Sequence, residues 1–513
     1  MRDHGVTRSH VTETAAGRPS PAGPSGARPA AALSSPAPAF PSASAALPSI
    51  ALDAGTWDRA HDHLVADLRD LIRIPSINPP GDEILAARHV EALLADLGLR
   101  PEVVEPFPGR GSVACRLRGD GSGGGPLLLL SHLDVVPAPL DGWTHDPFAA
   151  DIADGYVWGR GAVDMKAMVA MELGVIRLLV AEARAARRDP ASDPIPGLRR
   201  DILFASTADE EAGGQKGAGW VVAHRPEWLR ASAALNEAGG VSMAFAGRRV
   251  YPIQVAEKAF GVYRLTVRGT WGHGSMPRDD NAAVRAAQAI VRLSTPEPAR
   301  LTPTMAAFLD GVAAALPPAQ ARLVRDLASS DPAVAERTVE RLCQEPYRRA
   351  LRALLRDTIS VGIVNAGIKY NVIPGRAEVE IDCRLLPGTD LGSWPDRLRE
   401  RLGPDLAPHV TIETVIEGAA VQSPLDHPIW AVMADTLRDH DPDAVVVPAM
   451  PPFATDAKHT ATLGVPTYGF SPLRLDPEER FLDRFHGIDE RVGLDALRFG
   501  LPVLYDVVRR YCS

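Results

Sequence analysis

Short clusters of His, Asp and Glu interrupt this sequence at widely separated points, and most of them directly follow an apolar run. The cluster at 131–134 follows Leu127–Leu130, and the cluster at 209–211 follows Ile202–Ala205. In open α/β sheets, ligands bind just outside the carboxyl ends of the strands. The sequence therefore predicts a fold in which several distant strand ends meet at one site.

The apolar pattern predicts an α/β fold from about Thr56 onward. Leu127–Leu130 has no polar alternation, as expected of a strand that is covered on both faces. A helical period over about Met165 to Arg184 separates this run from Ile202–Ala205, and the final helix is predicted over Leu494–Tyr511. Because strands alternate with helices, we expect a mainly parallel sheet with helices on both faces.

The pattern changes over residues 256–418. Strands are predicted at Val262–Val267, Val372–Arg384 and His409–Ile416, and helices at Ala282–Leu293 and Trp394–Leu402. This mixture resembles a small α+β module inserted into the main domain. Residues 300–356 within it are helical and rich in arginine, without a motif that we can interpret. The predicted organisation is a tail over 1–50, a main domain in two parts over 51–255 and 419–513, and an inserted module over 256–418.

The first 50 residues differ in composition from the rest. They are rich in Pro, Ala, Ser and Gly, so they cannot bury enough apolar surface to offset the entropy of ordering. We interpret them as a disordered tail. A secretory signal with Arg2 and Arg8 at its charged end is the alternative, but prolines and serines interrupt every apolar run. We expect a cytoplasmic protein, with export left open.

Charge and cysteine content exclude several classes of protein. Lys and Arg number 55 against 64 Asp and Glu, which gives a net charge of −9 and argues against a chain built to bind nucleic acid or an anionic membrane. No apolar run reaches the roughly 18–20 residues of a membrane-spanning helix. The four cysteines are scattered without a C-x-x-C motif, so they suggest neither a disulfide framework nor a cysteine-based zinc site.

Two of the clusters have local geometry that suits a metal site. Residues i and i+2 of a strand face the same side, so His132 and Asp134 can touch, and a carboxylate beside an imidazole fixes its tautomer. Asp164 opens a helix after Gly159 and Gly161 and stands where a dinucleotide-binding loop would need a third glycine. The structural alternatives are a strand-end capping cluster for the first site and a helix N-cap for Asp164.

The acidic run at Asp209-Glu210-Glu211 needs neutralising partners, because three adjacent acids repel each other. Neighbouring residues of an extended chain point in opposite directions, so Glu210 and Glu211 are expected to serve different roles. One of them can bind a metal ion while the other transfers a proton. A solvated acidic loop is the alternative interpretation.

Taken together, the clusters supply two imidazoles and three carboxylates, from His132, Asp164, Glu211, Glu237 and His486. This mixed N/O donor set suits zinc, cobalt or manganese. With one bridging carboxylate it would form a two-metal hydrolase centre, and Glu210 would then be the natural proton shuttle. The sequence contains neither H-E-x-x-H nor G-x-S-x-G, the signatures of other hydrolases.

These motifs closely resemble the M20 family of metallopeptidases, and the resemblance runs from about residue 56 to the end of the chain. The family contains carboxypeptidases, dipeptidases, aminoacylases and the acetylornithine and succinyl-diaminopimelate deacylases. The resemblance rests on the segments His132–Pro137, Gly159–Lys166, Asp209–Gly214, Glu237 and His486–Gly487. It implies that His132 and Glu237 bind one metal ion, that Glu211 and His486 bind the other, and that Asp164 bridges them.

The resemblance also implies roles for residues outside the ligand set. Asp134 would support His132, and Glu210 would be the general base and acid. The inserted module would be a ferredoxin-like lid that commonly mediates dimerisation, and its His273 would reach the partner subunit's active site and stabilise the oxyanion. Asn371 and Arg384 resemble a clamp for the substrate carboxylate. A turn histidine and a surface arginine are the structural alternatives for His273 and Arg384.

We therefore expect a metal-dependent hydrolase that cleaves a peptide or amide bond next to a free carboxylate, in the manner of a carboxypeptidase or dipeptidase. It would use two divalent metal ions, with zinc as the first choice and cobalt or manganese as alternatives. It would act as a homodimer on a small peptide or an N-acyl amino acid. An N-acyl-amino-acid deacylase is the alternative function, and a catalytically inactive binding protein on the same scaffold is a third.

Overall fold

The computed structural model describes residues 52–329, 331–342, 347–476, 479 and 481–513. The predicted tail over 1–50 and Cys343 lie outside these ranges. The described ranges contain the helices α1 (Ala54–Ile72), α2 (Glu83–Asp96), α3 (Lys166–Ala185), α4 (Ala218–His224), α5 (Ala282–Leu293), α6 (Pro303–Ala314), α7 (Pro318–Arg325), α8 (Pro332–Leu342), α9 (Tyr347–Leu354), α10 (Trp394–Leu406), α11 (Pro428–His440), α12 (Ala457–Thr460) and α13 (Leu494–Cys512).

The strands of the same ranges are β1 (Glu102–Phe107), β2 (Arg110–Leu117), β3 (Leu127–His132), β4 (Ile152–Ala153), β5 (Tyr156–Trp158), β6 (Ile202–Thr207), β7 (Ala233–Asn236), β8 (Met243–Phe245), β9 (Arg248–Gln254), β10 (Ala256–Glu257), β11 (Ala259–Arg268), β12 (Gly272–His273), β13 (Thr358–Ala366), β14 (Val372–Ile373), β15 (Arg376–Leu385), β16 (Val410–Gly418), β17 (Val421–Gln422), β18 (Val445–Ala449), β19 (Thr467–Gly469) and β20 (Arg491–Gly493).

A mixed, mainly parallel sheet forms the centre of the main domain, which confirms the predicted α/β class. Its strand order is β1-β2-β6-β3-β7-β19-β9-β18, and β8 pairs with β9. The central strand β3 runs parallel to both β6 and β7, and β19 runs parallel to β7. Leu127–Leu130 of β3 is fully buried, as its unbroken apolar sequence predicts. The buried helix α3 packs against α1 and α13.

Strand register places the polar clusters at one edge of this sheet. In the pairing of β3 with β6, His132 lies opposite Thr207, so the acidic residues that follow β6 leave the sheet beside it. Glu237 directly follows β7, the neighbour of β3 on its other side. The carboxyl ends of these parallel strands therefore carry their polar residues to the same place.

Within residues 256–418, four strands form a second, antiparallel sheet with the order β13-β15-β11-β16. Buried apolar side chains of β11 and β15 pack against α5 and α10. The predicted single strand over Val372–Arg384 is wrong, because it consists of the two strands β14 and β15. Pro374 and Gly375 separate them, and a proline has no N–H group to donate to a strand partner.

The helices α6 to α9 confirm that residues 300–356 are largely helical, and they pack away from the second sheet. Their apolar side chains form one buried cluster with residues of β8, β9 and β18, at the end of the large sheet. Gly311 allows the close approach of α6 to β18, because a Cβ atom at this position would lie 2.7 Å from Cγ1 of Val447. Among the helices of the described ranges, none combines the length and apolar content needed to cross a membrane.

Candidate metal centre

The five residues predicted as metal ligands lie together beyond the carboxyl ends of β3 and β7. Asp164, in the turn before α3, is the middle member of the cluster. Its Oδ1 atom is 3.1 Å from Nε2 of His132, and its Oδ2 atom is 3.3 Å from Nε2 of His486. One carboxylate thus faces two imidazoles with its two different oxygens, which is the arrangement that a bridging ligand requires.

A second carboxylate accompanies each imidazole. Oε2 of Glu237 lies 3.7 Å from Nε2 of His132, and Oε2 of Glu211 lies 3.0 Å from Nε2 of His486. One ring nitrogen of His132 and one carboxylate oxygen each of Asp164 and Glu211 all lie within 4.8 Å of one another. The cluster therefore has two halves, each with one imidazole and one carboxylate of its own, that share Asp164.

Burial makes the charges of this cluster interdependent. Desolvation and the nearby Asp164 raise the pKa of Glu211 to about 7, and desolvation also raises the pKa of Glu237. Burial works against a charged His132, but Glu237 and the other carboxylates raise its pKa well above the usual range. Hydrogen bonds with Asp164 and Glu211 raise the pKa of His486 to about 10. Buried carboxylates repel one another. They can stay ionised together only when cations, such as metal ions or protonated imidazoles, lie among them.

The donor atoms fit divalent metal ions. Oε1 of Glu211 is buried and has no hydrogen-bond partner among the described residues. Buried polar atoms without a partner are rare, and a metal ion is one of the groups that can satisfy them. The combination of two imidazole nitrogens with carboxylate oxygens is the donor set that zinc, cobalt and manganese accept.

Asp134 connects both halves of the centre. Nδ1 of His132, on the ring side away from the cluster, lies 3.1 Å from the backbone carbonyl oxygen of Asp134 and 3.4 Å from its Oδ1 atom. The backbone N–H groups of Glu210 and Glu211 donate to its Oδ1 and Oδ2 atoms at 3.1 and 3.0 Å. Nδ2 of Asn78 donates to Oδ2 at 2.8 Å. Asp134 therefore orients an imidazole and also fixes the backbone of the acidic loop, a second contact that the i, i+2 argument did not predict.

Glu210 lies beside the cluster with a cation of its own. One carboxylate oxygen of Glu210, one ring nitrogen of His132 and one carboxylate oxygen of Glu237 all lie within 4.8 Å of one another. Nζ of Lys458 lies 3.4 Å from the Oε1 atom of Glu210, and both side chains are almost completely buried. Sequence reasoning did not assign Lys458 a role, and the only signal was that the chain has just five lysines.

Sequence reasoning also missed Glu490, which holds the turn that carries Asp164. One oxygen of its buried carboxylate accepts three backbone N–H groups of residues 161–164, at 2.7 to 3.1 Å. The other oxygen accepts Nη1 of Arg160 at 2.5 Å. The only available signal was that Glu490 lies four residues after His486.

The remaining predicted site residues lie on or beside the strands β12, β14 and β15. His273 is exposed on β12, and its Nδ1 atom is 2.7 Å from Oγ of Ser275. The backbone carbonyl of Asn371 accepts the N–H of Gly274 at 2.8 Å, so these two segments are adjacent. Arg384, on β15, donates to Asp382. Within the described residues, no hydrogen bond or ion pair joins His273, Asn371 or Arg384 to the metal-centre cluster.

Known proteins resemble this chain over most of its length. The profile of peptidase family M20/M25/M40 matches residues 128–510. A protein named probable carboxypeptidase S-like 2, from Dictyostelium discoideum, is 30% identical over 393 residues, which is 75% of this chain and 71% of that protein. The N-fatty-acyl-amino acid synthase/hydrolase PM20D1 of Mus musculus is 27% identical over 407 residues, 75% of this chain and 74% of that protein.

A solved structure shows the same fold. It is an M20 family metallo-carboxypeptidase from Sulfolobus solfataricus, which is 18% identical in sequence and superposes with a TM-score of 0.63. The match covers 88% of this chain and 99% of that protein. The large sheet, the inserted sheet and their connection are therefore a known combination.

Proposed function

Because this chain belongs to peptidase family M20/M25/M40, we propose that its His, Asp and Glu cluster is a two-metal centre that hydrolyses a peptide or amide bond next to a free carboxylate. The position of Asp164 carries this proposal, since its two oxygens face two separate imidazoles at 3.1 and 3.3 Å. His132 and Glu237 would hold one ion, and Glu211 and His486 the other. Zinc is the first choice for both positions, and cobalt or manganese would suit the same donors.

Divalent ions at this centre would supply Lewis-acid polarisation of the scissile carbonyl and a more acidic water. The protein supplies the proton transfer. Glu210 takes a proton from the attacking water and later gives it to the nitrogen of the leaving amine. Lys458 lies beside Glu210 and holds its carboxylate in place. Asp134 keeps His132 in one tautomer and fixes the loop that carries Glu210.

The inserted module, proposed to span residues 256–418 between the two parts of the main domain, would bind the free carboxylate of the substrate. A planar guanidinium fork suits a carboxylate, and Arg384 is the proposed partner together with Asn371. Asp382 already occupies Nε and Nη2 of Arg384, so Nη1 is the group that we expect to meet the substrate. Nδ2 of Asn371 is the atom that would donate to the substrate carboxylate, because an ionised carboxylate only accepts hydrogen bonds.

We propose that the active form is a homodimer. Four large apolar side chains near His273 are exposed in the single chain, and they are Trp271, Met276, Ile368 and Tyr370. Exposed apolar side chains that lie close together in this way mark protein interfaces. A second copy would cover them, and His273 would then reach the partner subunit's active site and donate to the developing oxyanion.

The variant Glu210→Gln tests the proposed chemistry. It should lower kcat by about 10²–10⁴-fold or more, because the general base and acid is lost, while the metal content measured by mass spectrometry stays unchanged. Glu102→Gln is the matched control, since this side chain is exposed on β1. If Glu210→Gln keeps wild-type activity, Glu210 is not the base.

An N-acyl-amino-acid deacylase is the second candidate, and an apolar cavity beside Glu237 favours it. The name of the PM20D1 relative describes that class of substrate. Both candidates use the same ions and the same residues. A panel of dipeptides and N-acyl amino acids, assayed with zinc, cobalt or manganese added, separates them by comparing kcat/KM.

A further inference from the structure

Glu257 is a buried carboxylate that the proposed function does not use. It lies on β10, and the residue is only 1% exposed. This short strand connects β9 to β11 and pairs with β17, so that Glu257 lies opposite Val421. The pair β10–β17 is therefore the place where the chain enters and leaves the proposed inserted module.

The carboxylate of Glu257 holds Thr455 by two hydrogen bonds. Its Oε2 atom accepts the backbone N–H of Thr455 at 3.0 Å, and its Oε1 atom accepts the Thr455 hydroxyl at 2.5 Å. Oγ1 of Thr455 accepts in turn from Nδ2 of Asn236 at 2.9 Å. Thr455 is fully buried but lies outside the helices and strands, so these side-chain contacts fix its position.

Thr455 in turn holds Lys458, the cation beside Glu210. Nζ of Lys458 donates to the carbonyl oxygen of Thr455 at 2.9 Å and lies 3.4 Å from Oε1 of Glu210. Oδ1 of Asp456 is 3.9 Å from the same Nζ atom, and this buried oxygen has no hydrogen-bond partner among the described residues. Because a buried carboxylate oxygen gains strongly from a cation, Asp456 competes with Glu210 for the ammonium group.

Charge links the same residues. Burial works against a charged Lys458, but the carboxylates of Glu210, Asp456 and Glu257 raise its pKa above the usual value. Burial raises the pKa of Glu257, while the hydrogen bonds from Thr455 and the ammonium group of Lys458 act against that rise. One ammonium group is thus shared by three carboxylates, and its position decides which of them it neutralises most.

We propose that Glu257 is a positioning residue for the proton transfer by Glu210, and that it acts through Thr455 and Lys458. The inference rests on the proposed function, because the placement of Glu210 matters only if Glu210 transfers the proton. Loss of the Glu257 contacts would release the Thr455 carbonyl and let the ammonium group move toward Asp456. Glu210 would then lose its fixed partner.

The expected effect is on the rate of the chemical step. A general base must lie within about 2.6–3.2 Å of the atom that gives up the proton, and a misplacement of about 1 Å can lower the rate about a hundredfold. Because Glu257 belongs to the β10–β17 pair, the placement of Glu210 also depends on the connection to the proposed inserted module.

The variant Glu257→Gln tests this inference, since an amide nitrogen cannot accept the hydrogen bonds that the carboxylate accepts. On the dipeptide or N-acyl amino acid that the metal-loaded wild type cleaves best, kcat should fall about tenfold or more, while KM changes less than about twofold. The metal content measured by mass spectrometry should stay unchanged.

Asp441→Asn is the matched control. Asp441 is also buried and accepts a side-chain hydroxyl, that of Tyr251 at 2.8 Å, but it has no contact with Thr455 or Lys458 among the described residues. It should keep the wild-type kcat even where it lowers the melting temperature. If kcat falls equally in the two variants, Glu257 only stabilises the fold and the inference is wrong.

Two substitutions of Thr455 break or keep the same link from its other side, and they serve also where Glu257→Gln does not fold. Thr455→Val removes the hydroxyl and should lower kcat about as much as Glu257→Gln. Thr455→Ser keeps the hydroxyl and should keep kcat near that of the wild type. Equal values of kcat in the valine and serine variants would contradict the inference.

A double-mutant cycle shows whether Glu257 acts through Lys458. Lys458→Met should lower kcat about tenfold or more, and adding Glu257→Gln to it should cause no further loss, because the two residues act in series. Effects that multiply would overturn the inference. If Glu210→Gln abolishes turnover but Glu257→Gln and Thr455→Val keep the wild-type kcat, the inference is wrong and the proposed function stands. If Glu210→Gln itself keeps activity, the proposed function fails.

Discussion

At the scale of single residues, Asp134 has more influence on the centre than its position outside the ligand set suggests. It accepts hydrogen bonds from the backbone of the acidic loop and faces Nδ1 of His132. We predict that Asp134→Asn lowers metal affinity about 10–100-fold, the usual effect of removing a carboxylate that supports a metal-binding histidine. Metal titration monitored by calorimetry measures this directly.

The control for this substitution is Asp426→Asn, because Asp426 is exposed and lies outside the centre. Its metal affinity should equal that of the wild type. Wild-type affinity in Asp134→Asn would show that the contact between Asp134 and His132 does not support metal binding.

Glu172 gives a prediction about pH. It is fully buried on α3, Oγ of Ser131 donates to its Oε2 at 2.7 Å, and burial raises its pKa well above the ordinary value of 4.5. The folded protein therefore keeps a proton that the unfolded chain releases, so this group's contribution to stability is present below pH 4.5 and is lost as the pH rises toward the raised pKa.

The variant Glu172→Gln should remove this dependence, since an amide does not titrate. We expect its free energy of unfolding at about pH 8 to exceed that of the wild type by about 1 kcal/mol or more, because a tenfold change in proton affinity corresponds to about 1.4 kcal/mol. Urea unfolding between about pH 5 and pH 8 checks this expectation. Parallel pH profiles of the two proteins would refute it.

At the scale of elements, the turn before α3 depends on a residue from the other end of the chain. Glu490 accepts three backbone N–H groups of that turn and pairs with the buried Arg160. Glu490→Gln leaves the Arg160 charge without a buried partner, so we predict a loss of about 3 kcal/mol or more in the free energy of unfolding. Chemical denaturation measures this loss.

An exposed ion pair in the same protein provides the comparison. Glu102 and Arg225 lie 3.5 Å apart with side chains that are 62% and 44% exposed. Glu102→Gln should change the free energy of unfolding by less than about 1 kcal/mol, because water and salt screen exposed pairs. Equal effects of the two substitutions would mean that burial does not decide the importance of Glu490.

The elements themselves were predictable where one local pattern extends over their whole length. Helix α5 has the predicted bounds, and β11 contains the predicted strand Val262–Val267. The predicted strand over Val372–Arg384 was wrong because an interruption by Pro374 and Gly375 matters more than the apolar pattern around it. In the folded chain, α6 to α9 pack against the end of the large sheet. In the sequence, however, these helices lie between β12 and β13, within the predicted inserted module.

At the scale of the whole molecule, the proposed dimer can be tested by mixing two impaired variants. Glu210→Gln removes the base, and His273→Ala should lower kcat without unfolding the protein. In a mixed dimer, the subunit that carries His273→Ala has an intact Glu210 and would receive His273 of the partner subunit. Randomly mixed dimers should therefore regain roughly a quarter of the wild-type activity, because half of them are mixed and each mixed dimer has one complete site.

Activity that equals the sum of the separate variants would contradict a shared site. Native mass spectrometry of the mixture, with one variant labelled with nitrogen-15, is the control for the formation of mixed dimers, because it separates them from both parent dimers by mass. Wild-type activity of His273→Ala alone would remove this residue from the site.

The α/β class and the residue types that could form a metal centre were predictable from the sequence. Both depend on local patterns, since apolar runs define strands and the polar residues that follow them mark strand ends. The sequence did not predict the contacts of Glu490 and Lys458 or the apolar cavity. Glu490 contacts a turn more than 320 residues away, and the cavity forms between α9 and strands that are distant in the chain. Such contacts depend on how distant elements pack against one another, and no local period in the sequence encodes them.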